Sequence, residues 1–394
     1  MQIIGDTNIP FLKYRAIALS LSLLVILSGL AYELFGHGLN LGIDFVGGTQ
    51  VTVKFRSAPD LGELRNIMEE LDTGTPALQR FDEPEKHEIL IRVENPEGEE
   101  GDFTRPIIDL LHRDLNADIG DTFDLNTQGA QALTGLLAAA DPDGLGLDQE
   151  ALEAHYAPMA EAVLEKRKEL GIFNSYDQLD GISGLSDAAR TTIREKTALG
   201  EFALLGAESV GPSVGADLKG KAQAAIGFSL VGMLVYIWLR FQLPFGIGAV
   251  VALFHDVLIT LSALAITNRE INLSTVAALL ALVGYSVNDT VVVFDRVREN
   301  LKLRRSEDLE SLMNASINQT LSRTFITSGT TLAVVLSLYL FGGDVINTFA
   351  FVLLVGIIVG TYSSIFVASP VALWMHKALA ARREARRQKG RRRR

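Results

Sequence analysis

The segregation of apolar from charged residues constrains this chain most. Mean hydropathy is positive at +0.24, yet 21% of the residues are charged. Both values hold together only if the two kinds of residue occupy different stretches. Apolar runs cover 16–32 (extendable to 11–35), 222–239, 245–266, 272–294, 325–341 and 346–373. Crossing the hydrocarbon core of a bilayer takes roughly 20 residues of helix, so each run is long enough to span. From 36 to 221 there is no run of that length. The pattern predicts a polytopic α-helical membrane protein with six transmembrane helices and one large domain outside the bilayer. A basic start followed by a short apolar run also describes a cleaved signal peptide. No small-residue cleavage site follows the first run, so it is expected to remain as a span.

Charge then predicts orientation. The net charge is −11, but the acids crowd into 44–208 and the bases lie beside the apolar runs. Lys13 and Arg15 precede the first run, and Arg240 lies between the second and third. Arg296, Arg298, Lys302, Arg304 and Arg305 lie between the fourth and fifth, and Lys377, Arg382, Arg383, Arg386 and Arg387 follow the sixth. With six spans all four sites fall on one side, which the positive-inside rule makes the cytoplasm. The acidic domain is then outside, in the periplasm of a cell with two membranes, and the protein is expected in the bacterial inner membrane. The arginine-rich tail reads as an anchor on anionic lipid. An acidic domain argues against nucleic-acid binding, and the absence of cysteine excludes disulfides.

The polar block has its own pattern. Val51, Val53 and Phe55 alternate with polar residues, as a half-buried strand requires. Leu61, Leu64, Ile67, Met68 and Leu71 mark one face of a helix. Strands at 77–81 and 87–93, a helix at 104–115 and a late strand at 202–210 complete the order β-α-β-β-α-β. That order predicts an α+β ferredoxin-like domain. Its last strand is delayed by a helical insertion over 126–199. Within the insertion, 176–193 has the form of a helix-hairpin-helix, a module often found on DNA. Its few bases favour a packed αα-hairpin through Leu179, Ile182, Leu185 and Ile193. The expected divisions are 1–36 (N-terminus and first span), 37–125 (ferredoxin-like), 126–199 (insertion), 200–221 (closing strand and linker), 222–376 (spans two to six) and 377–394 (basic tail).

Chemistry is expected where ionisable residues enter the apolar runs. Asp289 lies about two helical turns before the first arginine of its flank. A carboxylate at that depth costs about 3 kcal/mol on insertion scales, so it normally faces a partner, a cavity or a proton path. Arg323 precedes the apolar part of the fifth run at a similar depth, which suggests an ion pair. Tyr285, Asn288, Thr320, Thr324 and Thr327 complete a candidate polar seam, and His255-Asp256 is a weaker candidate in the third run. Burial favours the protonated form of a carboxyl and a nearby guanidinium the ionised form. A group held between them suits a proton relay, while a static pair merely joins two helices. Gly356 and Gly360 have the spacing of close helix packing. There is no Walker motif, metal cluster or hydrolase constellation. No cofactor or metal and no enzymatic activity are expected, and the membrane gradient is the expected source of energy.

Several stretches carry a resemblance to a known family. They are GIDFVGGT at 42–49, VGPSVGADL at 210–218, HDV at 255–257, GYSVNDTVVVFDRVREN at 284–300, SINQTLSRTFITSGTT at 316–331 and GTYSSIFVASPV at 360–371. In content and order they resemble the SecF members of the SecD/SecF protein-export family, within the RND superfamily. The resemblance implies a six-span subunit that pairs with SecD and assists the SecYEG channel, driven by the proton motive force. It also implies a periplasmic domain that grasps emerging preproteins. Asp289 and Arg323 match the family's proton-path positions, and a further aspartate is expected from SecD. The insertion departs from the family's usual small domain. The competing readings are an RND-type exporter of small molecules or lipids, and a static scaffold.

Overall fold

The computed structural model describes residues 7–36, 38–71, 73, 76–81, 84–95, 101–120, 122–304 and 306–392. Arg305, Arg393 and Arg394, which belong to the basic segments above, lie outside the described residues.

Each apolar run becomes a helix that outruns it. The first, α1, is Arg15–Phe35, preceded by a 3-10 turn at Phe11–Tyr14. After the extramembrane elements come α8 (Pro212–Arg240), α9 (Leu243–Ile266), α10 (Leu273–Leu303), α11 (Leu309–Phe341), α12 (Asp344–Ser363) and α13 (Ser369–Arg392). A π-helical segment, Ser364–Ala368, joins the last two into one span. Six helices are long and apolar enough to cross a membrane, and the protein is a multi-pass membrane protein. The extensions are polar segments of good helix formers. The stretch 295–318, between the fourth and fifth apolar runs, consists largely of the end of α10 and the start of α11. Caps set the boundaries: Asn272 accepts from the Thr275 N–H and Asp308 from the Glu310 N–H.

The chain divides into two units, 43–217 and the remainder. In the membrane unit α9, α10 and α12 are the inner helices, and α1, α8 and α11 are more exposed. Small residues allow the backbones to approach. A Cβ on Gly29 of α1 would lie 2.2 Å from Ser262 Cβ on α9, and one on Gly356 would lie 2.3 Å from a Leu282 methyl on α10. Gly29→Val is therefore expected to separate α1 from α9. Overpacking of this kind costs about 1–3 kcal/mol, measurable as a lower unfolding midpoint in detergent.

The other unit contains α2 (Ile43–Val46), β1 (Gly48–Phe55), α3 (Leu61–Glu69), β2 (Ala77–Phe81), β3 (Glu88–Val93), α4 (Thr104–Leu115) and β6 (Phe202–Val210). Its four strands are antiparallel in the order β2-β3-β1-β6. With two helices packed on one face, this is the ferredoxin-like arrangement. The core joins Val51, Val53 and Phe55 of β1 to Leu64, Ile67 and Met68 of α3 and to Ile107 and Leu111 of α4.

The insertion leaves and returns through a short parallel pair, β4 (Phe123–Asp124) with β5 (Thr197–Ala198). Between them lie α5 (Ala130–Ala140), α6 (Gln149–Leu170) and α7 (Asp187–Lys196) around a separate core that includes Leu133, Leu137, Tyr156, Phe173 and Ile193. Buried Asp124 stitches the two ends together. It accepts from the N–H groups of Asn126 and Gly200, both at 2.9 Å, and from Thr127 Oγ1 at 2.9 Å. Arg167 donates to the carbonyls of Leu125 (2.6 Å) and Gln128 (2.8 Å). Burial pulls its guanidinium below its usual range, against the opposing charge of Asp124. In the hairpin, Leu179, Ile182, Leu185 and Ile193 are buried in the insertion core. Arg190 and Arg194 are paired with Asp187 and Asp180, so the bases that would meet a phosphate are already engaged. Tyr156 is fully buried, accepts from the Asp143 N–H and donates to Asp141. Tyr156→Phe removes both bonds and is expected to cost the insertion about 1–3 kcal/mol, visible as faster hydrogen exchange over 141–156.

Candidate functional site

Asp289 is 2% exposed and lies on the side of α10 that faces α11 and α12. Ser328 Oγ of α11 donates to its Oδ2 at 2.9 Å. Thr361 Oγ1 of α12 stands 3.3 Å from the same oxygen and 2.9 Å from Ser328 Oγ. The carboxyl is thus bracketed by two hydroxyls from two other helices, and among the described residues no donor reaches Oδ1. A hydroxyl either donates or accepts by rotating its proton. The bracket can therefore accommodate either a carboxylate or a carboxylic acid without movement of the backbone.

The expected Asp289–Arg323 ion pair is not formed. Arg323 is exposed, and its guanidinium has no salt-bridge partner among the described residues. Helix geometry gives the reason. Ser328 faces Asp289, and five residues back along α11 is a rotation of about 140° from that direction. Arg323 is thus also displaced by about 7.5 Å along the axis toward the basic end, and it shares neither the face nor the depth of the site. The threonines do not make a seam to Asp289 either. Thr320 returns its hydroxyl to the carbonyls of Ser316 and Ile317, and Thr327 to those of Arg323 and Thr324. Thr324 Oγ1 and Tyr285 OH are buried without a partner. Asn288 is exposed on α10, as are Ala281 and Gly284. Gly284 and Asn288 of α10 and Arg323 of α11 are thus each exposed, uncovered by the described residues.

Asp256 on α9 is the more deeply buried carboxyl, at 0% exposure. Its Oδ2 accepts from Ser286 of α10 and from Ser363 Oγ of α12 at 2.8 Å. Its Oδ1 lies 2.8 Å from His255 Nδ1. Asp289 and Asp256 therefore occupy one junction: Ser286 and Asp289 are a turn apart on α10, and Thr361 and Ser363 are two residues apart on α12. Ser328, Thr361 and Ser286 were not identified from sequence as site residues. All three lie inside the family-like stretches quoted above, but only Ser286, one turn from Asp289 on the same helix, could have been found by its spacing from an intramembrane acid.

The basic residues gather at one end of the bundle. Glu310 at the start of α11 binds Arg15 at 2.9 Å and Lys377 at 3.1 Å. Asp295 on α10 binds both Arg240 and Arg298. Asn314 and Asn318 of α11 hold the backbone of Leu12 and Ile9. All four basic segments of the sequence are thus tied to this end.

Comparison with known proteins follows the same outline. Residues 191–378 match the family "Protein export membrane protein SecD/SecF, C-terminal", and residues 34–59 match the "SecD/SecF GG Motif" family. Protein translocase subunit SecF of Koribacter versatilis is 42% identical over 381 residues, covering 94% of this chain and 92% of its own. The subunit of the same name from Calditerrivibrio nitroreducens is 38% identical, covering 96% of this chain and 97% of its own. Among solved structures, SecDF of Thermus thermophilus aligns with a TM-score of 0.66 at 27% identity. That alignment takes in 94% of this chain and 39% of the SecDF chain.

Proposed function

Because the chain belongs to the SecF family of protein translocase subunits, we propose that it couples the proton motive force to polypeptide export as an accessory transport component without catalysis of its own. Asp289 is the group that takes up and releases the proton. The observation that carries this reading is its hydroxyl bracket, buried in the bundle and able to adjust to either protonation state by rotating its protons. Three membrane helices meet at that carboxyl, so a change in its charge bears on the packing of all three.

The partner reading rests on the uncovered face. A charged guanidinium on a spanning helix needs an acceptor or water, and among the described residues Arg323 has no direct acceptor, Asp289 being only a distant counter-charge. SecD is the proposed cover, supplying a carboxylate opposite Arg323, with Asn288 and Tyr285 lining the contact. The family's larger SecDF chain, of which this chain matches about two fifths, is consistent with a missing half of that kind. SecYEG and emerging preprotein chains are the further proposed partners.

The basic end is placed in the cytoplasm, which puts both termini there and the domain of residues 43–217 in the periplasm. The gathering of four basic segments at one end supports this orientation. The bacterial inner membrane is the proposed location, with the tail on anionic lipid. A reporter enzyme fused after Leu90 is expected to be active only as an exported protein; cytoplasmic activity would reverse the topology. Asp256 is proposed as a secondary member of the proton path. An exporter of small molecules is not favoured, given full-length relatives that are translocase subunits. The test is export in vesicles carrying Asp289→Asn, argued below.

A further inference from the structure

We propose that His255 and Asp256 form a second proton-binding site, a dyad that holds one exchangeable proton at the junction of α1, α9, α10 and α12. This deepens the reading of the bundle as a proton path, but it rests on different atoms from those around Asp289.

Unequal satisfaction of the polar atoms points to it. Asp256 is closed to solvent, with Oδ2 occupied by Ser286 and Ser363 and Oδ1 by His255 Nδ1. The other imidazole nitrogen, Nε2, is buried and has no partner. His255 itself is only 8% exposed. A structural histidine normally fixes its tautomer by bonding both nitrogens, and an unmet buried donor or acceptor costs about 1–3 kcal/mol. Here one nitrogen is bound tightly to a carboxyl and the other is left open. The nearest aromatic hydroxyl does not fill the gap. The Tyr362 ring stacks on His255 at 6.3 Å, but its hydroxyl donates to the Ala18 carbonyl at 2.6 Å and accepts from Ser22.

The step balances with a proton alone. In the resting form Nδ1–H donates to Asp256 Oδ1, and Nε2 carries a free lone pair. A proton arriving at Nε2 forms imidazolium. The Nδ1 proton then passes to Oδ1, leaving neutral imidazole protonated at Nε2 and a neutral carboxylic acid. The dyad goes from one negative charge to none, and release runs the same steps in reverse. Few other charges bear on it. On α9 the titratable pair is His255 and Asp256 themselves. From α12 comes Tyr362, with Ser363. From α10 comes Ser286, with Asp289 a turn further on. The facing part of α1 offers Ser22 and no charged side chain. The charged residues of α13 begin at His376 and Lys377, and Lys377 is engaged with Glu310 at the basic end. The π-helical turn follows Ser363 directly, and Ser369 Oγ donates to the Ser364 carbonyl at 3.0 Å. Such turns are frequent at functional sites.

The test is a pH titration of the full chain in lipid nanodiscs, with labelled aspartate carboxyls followed by infrared spectroscopy and labelled imidazole nitrogens by NMR. Wild type, Asp289→Asn, Asp256→Asn and His255→Gln are compared, and thermal melting confirms that each is folded. In the difference between Asp289→Asn and the Asp289→Asn/Asp256→Asn double variant, which cancels the other aspartates, one carboxyl step is expected, moving together with the His255 nitrogens at a single midpoint. Asp256→Asn should abolish that carboxyl step and shift the imidazole midpoint by about one pH unit or more, a tenfold change in proton affinity. His255→Gln should shift the carboxyl midpoint, and it carries the test if Asp256→Asn does not fold. A flat carboxyl difference between Asp289→Asn and the double variant, with a His255 resonance that does not move with pH, would overturn the dyad. The step lost in Asp289→Asn reports the primary site separately, so either reading can fail without the other.

Discussion

Vesicles carrying Asp289→Asn are expected to lose the gradient-driven stage of export while keeping the stage driven by SecA and ATP. Asparagine has the shape of aspartate, accepts from Ser328 through its carbonyl and donates to a hydroxyl oxygen through its amide. The bundle therefore stays folded, and only the ability to titrate is removed. The loss is large because each proton driven across carries about 2.3 kcal/mol per 100 mV of potential, roughly fifty-fold in an equilibrium. A unit of pH difference adds about 1.4 kcal/mol. Preprotein protected from protease after ATP is exhausted is the quantity to measure. A static scaffold predicts the same yield as wild type, with or without a gradient.

The second large effect is expected at Arg323. It is exposed on α11, and among the described residues no carboxylate forms a salt bridge with it, Asp289 acting on it only from a distance, so the account places a direct acceptor on a neighbouring chain. Arg323→Leu leaves that acceptor buried and alone. Truncating one partner of a buried charged pair commonly costs about 2–5 kcal/mol, or roughly thirty-fold to several-thousand-fold in affinity. SecD recovered with the tagged chain from detergent extracts should fall accordingly. Arg323→Lys should recover part of the loss, since a point charge replaces a planar fork. Unchanged recovery of SecD with Arg323→Leu would mean that this face is not where the two chains meet.

These two residues also show how far a sequence can be read. Asp289 stood out because a carboxylate within an apolar run is costly, and its depth followed from counting residues. Its neighbours did not follow. Pairing it with Arg323 assumed that similar depth means contact, whereas contact between helices depends on rotation as well, and Arg323 lies about 7.5 Å along α11 from the residue that meets Asp289. The helix face that meets Asp289 carries Ser328, and the third helix brings Thr361 from 72 residues away. The same limit applied to Asp256. Its position was visible, but its cage comes from Ser286 and Ser363 on two other helices, and only their packing brings them together. The six spans were legible because hydrophobic length is a one-dimensional property, and the ferredoxin-like domain because its strand and helix order leaves few topologies. Helix ends were read short, since polar residues such as Arg296 and Glu299 continue a helix once it has left the lipid and pair across one turn. The stitching of the insertion by Asp124 and Asn126 had no sequence signature. Neither residue forms part of a motif, and the groups they bind lie up to 76 residues away.

The most direct test of the central claim is the protonation state of Asp289 itself in the energised complex. Infrared difference spectra of the chain with its partner in sealed vesicles, taken with and without an imposed gradient, would resolve the carboxylic acid band of this residue against Asp289→Asn. The account predicts that the band appears or disappears when the gradient is applied, in step with preprotein movement. A carboxyl that keeps one state whether or not the membrane is energised, in vesicles that still export, would contradict it.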